Sequence, residues 1–171
     1  MKYIIGIGTN LGNKINNINQ SIQHIKTDIK ILKISKVYES QAILKKNGYT
    51  EDDYRPYFNL AIMIEYEDVP IQLLQLLQSI ELKMGRKHNA KRWSARIIDL
   101  DILIAENFIF SSKQLIIPHI HFLDRFFAVI PAAEIAPKMF YGKSLCTLKE
   151  LASLHHKVNL NIIQTNIYSE L

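Results

Sequence analysis

Hydrophobic positions along the chain alternate between strand-like runs and helix-like stripes. Tyr3 to Ile7 is apolar and β-branched and is closed by Gly8-Thr9-Asn10, which predicts a buried strand. Ile15, Ile18, Ile22 and Ile25 then recur at helical spacing, with Asn13 or Asn16 placed to cap that helix. Lys30 to Ser40 reads as a second strand: Leu32 and Ile34 alternate with lysines, and Val37 and Tyr38 follow with a shift in register. Tyr57 to Tyr66 is a third strand. Pro70 opens a helix that runs through Gly85, with Leu73, Leu74, Leu77, Ile80 and Met84 on one stripe. Ile98 to Ile104 is a fourth strand.

Two polar stretches separate these elements. Gln41 to Arg55 contains the turn signal Asn47-Gly48 and is long enough for a mobile loop. Arg86 to Ala95 is polar and basic. The order βαββαβ predicts an α+β fold with a ferredoxin-like core and both helices on one face. Beyond Glu106 the pattern predicts short strands and one or two helices, one carrying Phe122, Leu123, Phe126, Val129 and Ile130, another within Leu145–Leu154. The last dozen residues add an edge strand or fray.

Composition narrows the setting. A chain of 171 residues, 48% hydrophobic, fits one domain over 1–171. Its one cysteine, Cys146, excludes an internal disulfide and reads as a packing residue in a reducing compartment. The apolar N-terminus is too short for a secretory signal, and no run approaches about 18 apolar residues. A soluble, cytoplasmic protein is expected. The net charge of +5 suits an anionic partner, whether nucleotide, nucleic acid or acidic membrane, without choosing among them.

Candidate chemistry concentrates in Arg92-Trp93-Ser94-Ala95-Arg96-Ile97-Ile98-Asp99-Leu100-Asp101. A strand has a side-chain period of two, so Asp99 and Asp101 face one side, about 6.5 Å apart at the backbone. Two like charges on an apolar strand repel and lose hydration, so a cation must compensate. Mg²⁺ takes hard oxygen ligands, keeps waters and leaves positions for phosphate oxygens, and two metals about 3.5–4 Å apart can share such a pair. A salt-bridged pair at a solvent-facing strand is the plainer alternative. Arg86, Lys87, His88, Lys91, Arg92 and Arg96 supply cations that bind phosphate. Trp93 can stack on a base or clamp the loop. Pro118-His119 and Asp124-Arg125 offer a second basic group from beyond the strand. Together these fit phosphoryl transfer from ATP, which needs positioning and charge neutralisation more than covalent chemistry. A single-stranded nucleic-acid module would use the basic residues and Trp93 but leaves the aspartates unexplained. A metal-dependent phosphodiesterase or phosphatase remains open. Gly6-Ile7-Gly8-Thr9-Asn10-Leu11-Gly12 matches neither phosphate-binding glycine fingerprint and reads as a structural turn, with Asn10 capping or bracing a neighbouring loop.

These motifs line up with one family. Ile7–Gly12, Tyr57-Phe58-Asn59, Glu81–Arg86, Arg92–Asp101, Pro118-His119, Arg125-Phe126-Phe127 and Glu134–Pro137 resemble, in order and across nearly the whole chain, the 6-hydroxymethyl-7,8-dihydropterin pyrophosphokinases of folate biosynthesis. The resemblance implies an αβα sandwich with additional C-terminal elements. It implies transfer of pyrophosphate from the co-substrate ATP to the pterin hydroxymethyl group, releasing AMP. It further implies two Mg²⁺ ions at Asp99 and Asp101, catalytic roles for Arg86, Arg92 and Arg96, and ATP contacts from Gln78, Glu81, Trp93, His119 and Arg125. Tyr57 and Phe127 match the aromatic pair around the pterin, Asn59 its edge reader, and Ser40 and Ile43 supply backbone groups. A monomer acting on ATP and the pterin, without nucleic acid or membrane, is expected. Several positions depart from the family pattern: His88 stands for an arginine, Ser94-Ala95 for Gly-Pro, Gln41-Ala42 for prolines, and Ile116 and Ile120 for more polar residues.

Overall fold

The computed structural model describes residues 1–42, 54–86, 94–155 and 160–164. Strand β1 (Lys2–Thr9) lies inside an antiparallel sheet, between β4 (Tyr57–Glu65) and β5 (Asp99–Ala105). Beyond β4 stand two short strands, β2 (Lys30–Ile34) and β3 (Val37–Ser40), each paired with a different half of β4. An edge strand, β8 (Asn161–Gln164), pairs with β3. The full order is β5-β1-β4-β3-β8, with β2 joined to β4. A two-stranded hairpin, β6 (Phe110–Ser111) and β7 (Ile116–Ile117), stands apart.

Helices cover both faces. Helices α1 (Lys14–Asp28) and α2 (Pro70–Lys83) share one, α3 (Phe126–Ile135) and α4 (Leu148–Ser153) the other. The alternation along β4 shows why. Leu60, Ile62 and Ile64 join the core under α1 and α2, whereas Ala61 and Met63 join the core under α3 and α4. A central strand buried on both faces must be apolar at nearly every position, and β4 is. Helix α1 buries Ile18, Ile22 and Ile25 at spacings of four and three, and its cap is Asn13, whose side chain accepts from the Asn16 backbone N–H at 3.1 Å. Helix α2 opens on Pro70, whose missing N–H costs nothing in the first turn. Helix α3 is apolar at every position but Glu134, and α4 is held by a reciprocal capping box between Thr147 and Glu150.

Several boundaries differ from the pattern reading. Lys30–Ser40 is two strands, because Ser35 breaks the ladder. Its N–H donates to the Ala61 carbonyl and its hydroxyl accepts from the Ala61 N–H, both at 2.9 Å, so one side chain replaces a strand pairing. Helix α2 ends at Lys83, and Gly85 follows at φ +94°. Phe122 and Leu123 precede α3 in a turn rather than sharing its helix, and Leu145 precedes α4 and is exposed.

Candidate active site

The sheet register sets out the site. Across β4, β1 and β5, Asn59 pairs with Gly8 and Gly8 with Asp99. Two residues further along, Ala61 pairs with Gly6 and Gly6 with Asp101. Leu100 and Ile102 point into the core under α1 and α2, so Asp99 and Asp101 face the α3 side, as the period of two requires. Glycine on the middle strand leaves that face empty. The result is a cavity of about 550 Å³ on the α3 side, whose lining includes Ser40, Tyr57 and Asn59 at one end, Arg96, Asp99, Asp101 and Arg125 at the other, and Phe127 from α3.

The carboxylate end is dense with ion pairs. Asp99 Oδ1 receives Arg86 and Arg96, each at 2.8 Å. Arg125, at the N-terminus of α3, reaches Asp101 Oδ2 at 3.3 Å. Behind the strand, the buried Glu81 of α2 pairs with Arg86, and its Oε1 accepts the Leu100 N–H at 2.7 Å. Strand β5 is an edge strand, so that N–H needs a partner from outside the sheet. Glu81 therefore braces the backbone between the two aspartates. Burial raises its carboxyl to about 7, Arg86 and the Leu100 N–H pulling it down and Asp99 pushing it up. Asp101 keeps 37% of its side chain open to the cavity. Crowding by the surrounding protein, then Asp99, still lift its carboxyl to about 6, against Arg125 and Arg96.

Among the described residues no group of three or more His, Cys, Asp or Glu side chains is arranged to hold a metal. Two hard carboxylates on one face, with no further ligand group among the described residues, suit an ion that keeps its waters and takes phosphate oxygens, as Mg²⁺ does, rather than a closed zinc or calcium cage.

The opposite end is nearly uncharged. Asn59 is buried, and its Nδ2 donates to the Ser40 hydroxyl at 2.9 Å. Tyr57 and Phe127 supply apolar ring surface. Asn10 ties the two ends together: its Oδ1 accepts the Arg96 N–H at 2.7 Å, its own N–H donates to the Arg96 carbonyl at 3.1 Å, and its Nδ2 reaches the Arg55 carbonyl at 3.4 Å. Lys14 adds a bond to the Pro56 carbonyl at 3.0 Å and lies over the Phe58 ring. The bracing role expected of Asn10 is thus visible.

Of the residues singled out in the sequence, Ser40, Tyr57, Asn59, Phe127, Arg96, Asp99, Asp101 and Arg125 line one cavity. Arg86 and Glu81 stand behind Asp99, and Gln78 is exposed on α2. His119 lies off the cavity lining, with its N–H on the Leu103 carbonyl at 2.8 Å. Burial, then Arg125 and His121, push its imidazole down to about 4, with Asp99 opposing. Ile43, His88, Arg92 and Trp93 fall outside the described residues. Sequence reasoning missed His121, and it read Gly6 and Gly8 as part of a structural turn, whereas both lie inside β1 and line the cavity. His121 carries a legible signal, two residues from His119 and three from Asp124, which it faces at 3.8 Å; the glycines become visible only once the register is known.

No helix among the described residues is long and apolar enough to cross a membrane. The family model for 7,8-dihydro-6-hydroxymethylpterin-pyrophosphokinase matches residues 4–137. A 2-amino-4-hydroxy-6-hydroxymethyldihydropteridine pyrophosphokinase of Bacillus subtilis is 32% identical over 137 residues, 79% of this chain and 78% of that one. Its counterpart in Methylorubrum extorquens is 32% identical over 140 residues, 81% of this chain and 84% of that one. Among solved structures, a Plasmodium falciparum HPPK-DHPS crystallised with pteroate superposes with a TM-score of 0.70 at 14% identity, covering 90% of this chain and 44% of that one, a likeness of fold. The chain belongs to the 7,8-dihydro-6-hydroxymethylpterin-pyrophosphokinase family.

Proposed function

We propose that this chain transfers pyrophosphate from ATP to the hydroxymethyl group of 6-hydroxymethyl-7,8-dihydropterin, a step of folate biosynthesis, and that the cavity between Asn59 and Asp99 is where it does so. One observation supports the placement: a flat, amide-edged, aromatic-walled end and an end with two carboxylates and two arginines share one cavity across three strands. A pterin is flat and carries donors and acceptors around its rim, so Tyr57 and Phe127 cover its faces and Asn59, with Ser40, reads its edge. The triphosphate lies at the other end. Two Mg²⁺ ions held by Asp99 and Asp101 would neutralise phosphate oxygens and make the attacking hydroxyl more acidic.

The chain's own groups do the rest. In the free enzyme Asp99 and Asp101 are neutralised by Arg86, Arg96 and Arg125. With a cation held by those carboxylates, the same guanidiniums would be free to pair with phosphate oxygens, and no charge would be left stranded. The pterin oxygen attacks the β-phosphorus in line, the bond from that phosphorus to the α–β bridging oxygen breaks, and AMP leaves carrying the bridging oxygen. The hydroxyl proton passes to solvent or product phosphate. Arg92 is assigned a catalytic role, Trp93 a contact with ATP and Ile43 a backbone group for the pterin, and His119, whose backbone N–H is bonded to Leu103 of β5, contacts ATP. Gln78 contacts ATP from α2, and Glu81 acts on ATP through Arg86 and the β5 backbone. We read the βαββαβ run as a ferredoxin-like core whose second strand is split into β2 and β3, in one domain acting as a monomer.

The test is a product analysis with ATP, Mg²⁺ and the reduced pterin. AMP formed only when the pterin is present supports the reading. ADP or inorganic phosphate, or AMP without pterin, overturns it and returns the chain to a kinase or hydrolase of another kind.

A further inference from the structure

The two halves of the cavity meet over a single residue. Gly8 is paired with Asn59 on one side and with Asp99 on the other. Neighbouring strands lie about 4.8 Å apart, so the backbones of Asn59 and Asp99 stand about 10 Å apart, with Gly8 midway. A Cβ at Gly8 would point into the space between them, 3.5 Å from Asn59 Oδ1, 3.8 Å from Tyr57 Cδ1 and 4.0 Å from Asp99 Cβ. Those are ordinary van der Waals distances, and Gly8 has no left-handed backbone. Neither packing nor conformation therefore requires glycine at this position. Gly6 is different: its Cβ would meet Leu103 side-chain atoms at 3.1–3.3 Å, so packing alone restricts it.

A glycine that the fold does not need, between the two groups that read the two substrates, calls for another reason. We infer that Gly8 is the floor of the reaction centre, the point over which the acceptor hydroxymethyl group and the β-phosphorus come together. The inference rests on the reading under Proposed function. An added methyl leaves each end of the cavity intact: the Tyr57 and Phe127 rings keep their surface, and Asp99 and Asp101 keep their oxygens. What it removes is the shared space in the middle, where in-line attack needs the reacting atoms within roughly 3–3.5 Å. Gly8 thereby sets how closely two bound substrates approach rather than how tightly either binds alone.

Gly8→Ala is the test, with melting temperature, binding and turnover measured on the full chain. The expected result is a melting temperature close to wild type and affinities for the pterin alone, and for Mg²⁺ with a non-hydrolysable ATP analogue alone, within about threefold. AMP formation falls by about 100-fold or more, the order expected when reacting groups are misplaced by an ångström. Simultaneous binding of both ligands weakens along with it. Wild-type turnover in Gly8→Ala overturns the inference, as does loss of affinity for one ligand alone equal to the loss of turnover. A second measurement needs no variant. The chain has six glycines, and Gly8 is the one followed by threonine, so labelling glycine and threonine together in the wild-type protein picks out its signal. Its Cα signal should move on adding either ligand and move furthest with both; an unmoved signal with both bound contradicts the inference. Failure of the wild type to make AMP would instead overturn the proposed reaction, leaving these two binding measurements to decide Gly8 separately.

Discussion

The two ends of the cavity are built on opposite physical terms. The Asn59 end rests on a central strand, with the Asn59 amide donating to the Ser40 hydroxyl and to the Tyr57 carbonyl between ring walls. The Asp99–Asp101 end rests on an edge strand and is held by three guanidiniums and a buried glutamate. The first is preformed and neutral, so its ligand replaces little and gains ring contact. The second is balanced among its own charges, so a ligand there would have to bring both a cation and an anion and exchange partners with the protein. Selectivity for the acceptor should therefore reside at the first end, and the rate of chemistry at the second.

The largest effect should come from the charged end. Asp99→Ala or Asp101→Ala should lower AMP formation by about 10³-fold, the scale on which transition-state charge stabilisation is lost. Pterin affinity should stay within a few-fold, checked by calorimetry. Unchanged Mg²⁺ dependence in both variants would erase the contrast between the ends. Next, Asn59→Leu should raise the KM for the pterin by about 100-fold and leave that for ATP nearly unchanged, because a site built to hydrogen-bond a polar edge loses affinity when that pairing goes.

Smaller effects sharpen the role of the brace. Glu81→Ala removes the partner of the Leu100 N–H and one of the partners of Arg86. Mg²⁺ affinity should drop about tenfold, as for other groups that orient ligands from behind, with stability lower by about 1–3 kcal/mol. Glu81→Gln keeps an acceptor for Leu100 and should lose less of both; equal losses would show that the charge, not the backbone bond, matters.

The smallest effect is a pH dependence with opposed signs. Glu81 titrates at about 7 in the fold against 4.5 ordinarily, so the folded chain holds the extra proton and stability falls as pH rises through that window. His119 titrates at about 4 against 6.5, so the folded chain holds fewer protons and stability rises with pH between those values. Where the windows overlap, the two trends offset. Asp101, raised to about 6, slopes the same way as Glu81 in every variant. Between about pH 5 and pH 6.5 the melting temperature should therefore slope more upward with pH in Glu81→Gln than in wild type and more downward in His119→Asn, and parallel slopes in the two variants would remove these groups from the account.

Sequence periodicity carried much of this picture. Ile18, Ile22 and Ile25 announce α1, and the continuous apolar run of β4 announces a strand covered on both faces. Asp99 and Asp101 fall on one face because a strand's period is two. Contacts made through the backbone are what a pattern of side chains does not record. Ser35 splits a predicted strand by substituting its hydroxyl for a ladder bond, and Glu81 serves an edge N–H nineteen residues away. Gly8 is informative only when the register sets it between Asn59 and Asp99. Charge in the sequence named the arginines, but Arg125 became a partner of Asp101 only through the docking of α3.

The central claim, that pyrophosphate passes from one end of this cavity to the other, is tested most directly with ATP labelled at the β-phosphorus. The label should appear in the pterin product in step with unlabelled AMP. Label retained in ADP, or released as free phosphate or pyrophosphate while the pterin stays unmodified, would contradict the account.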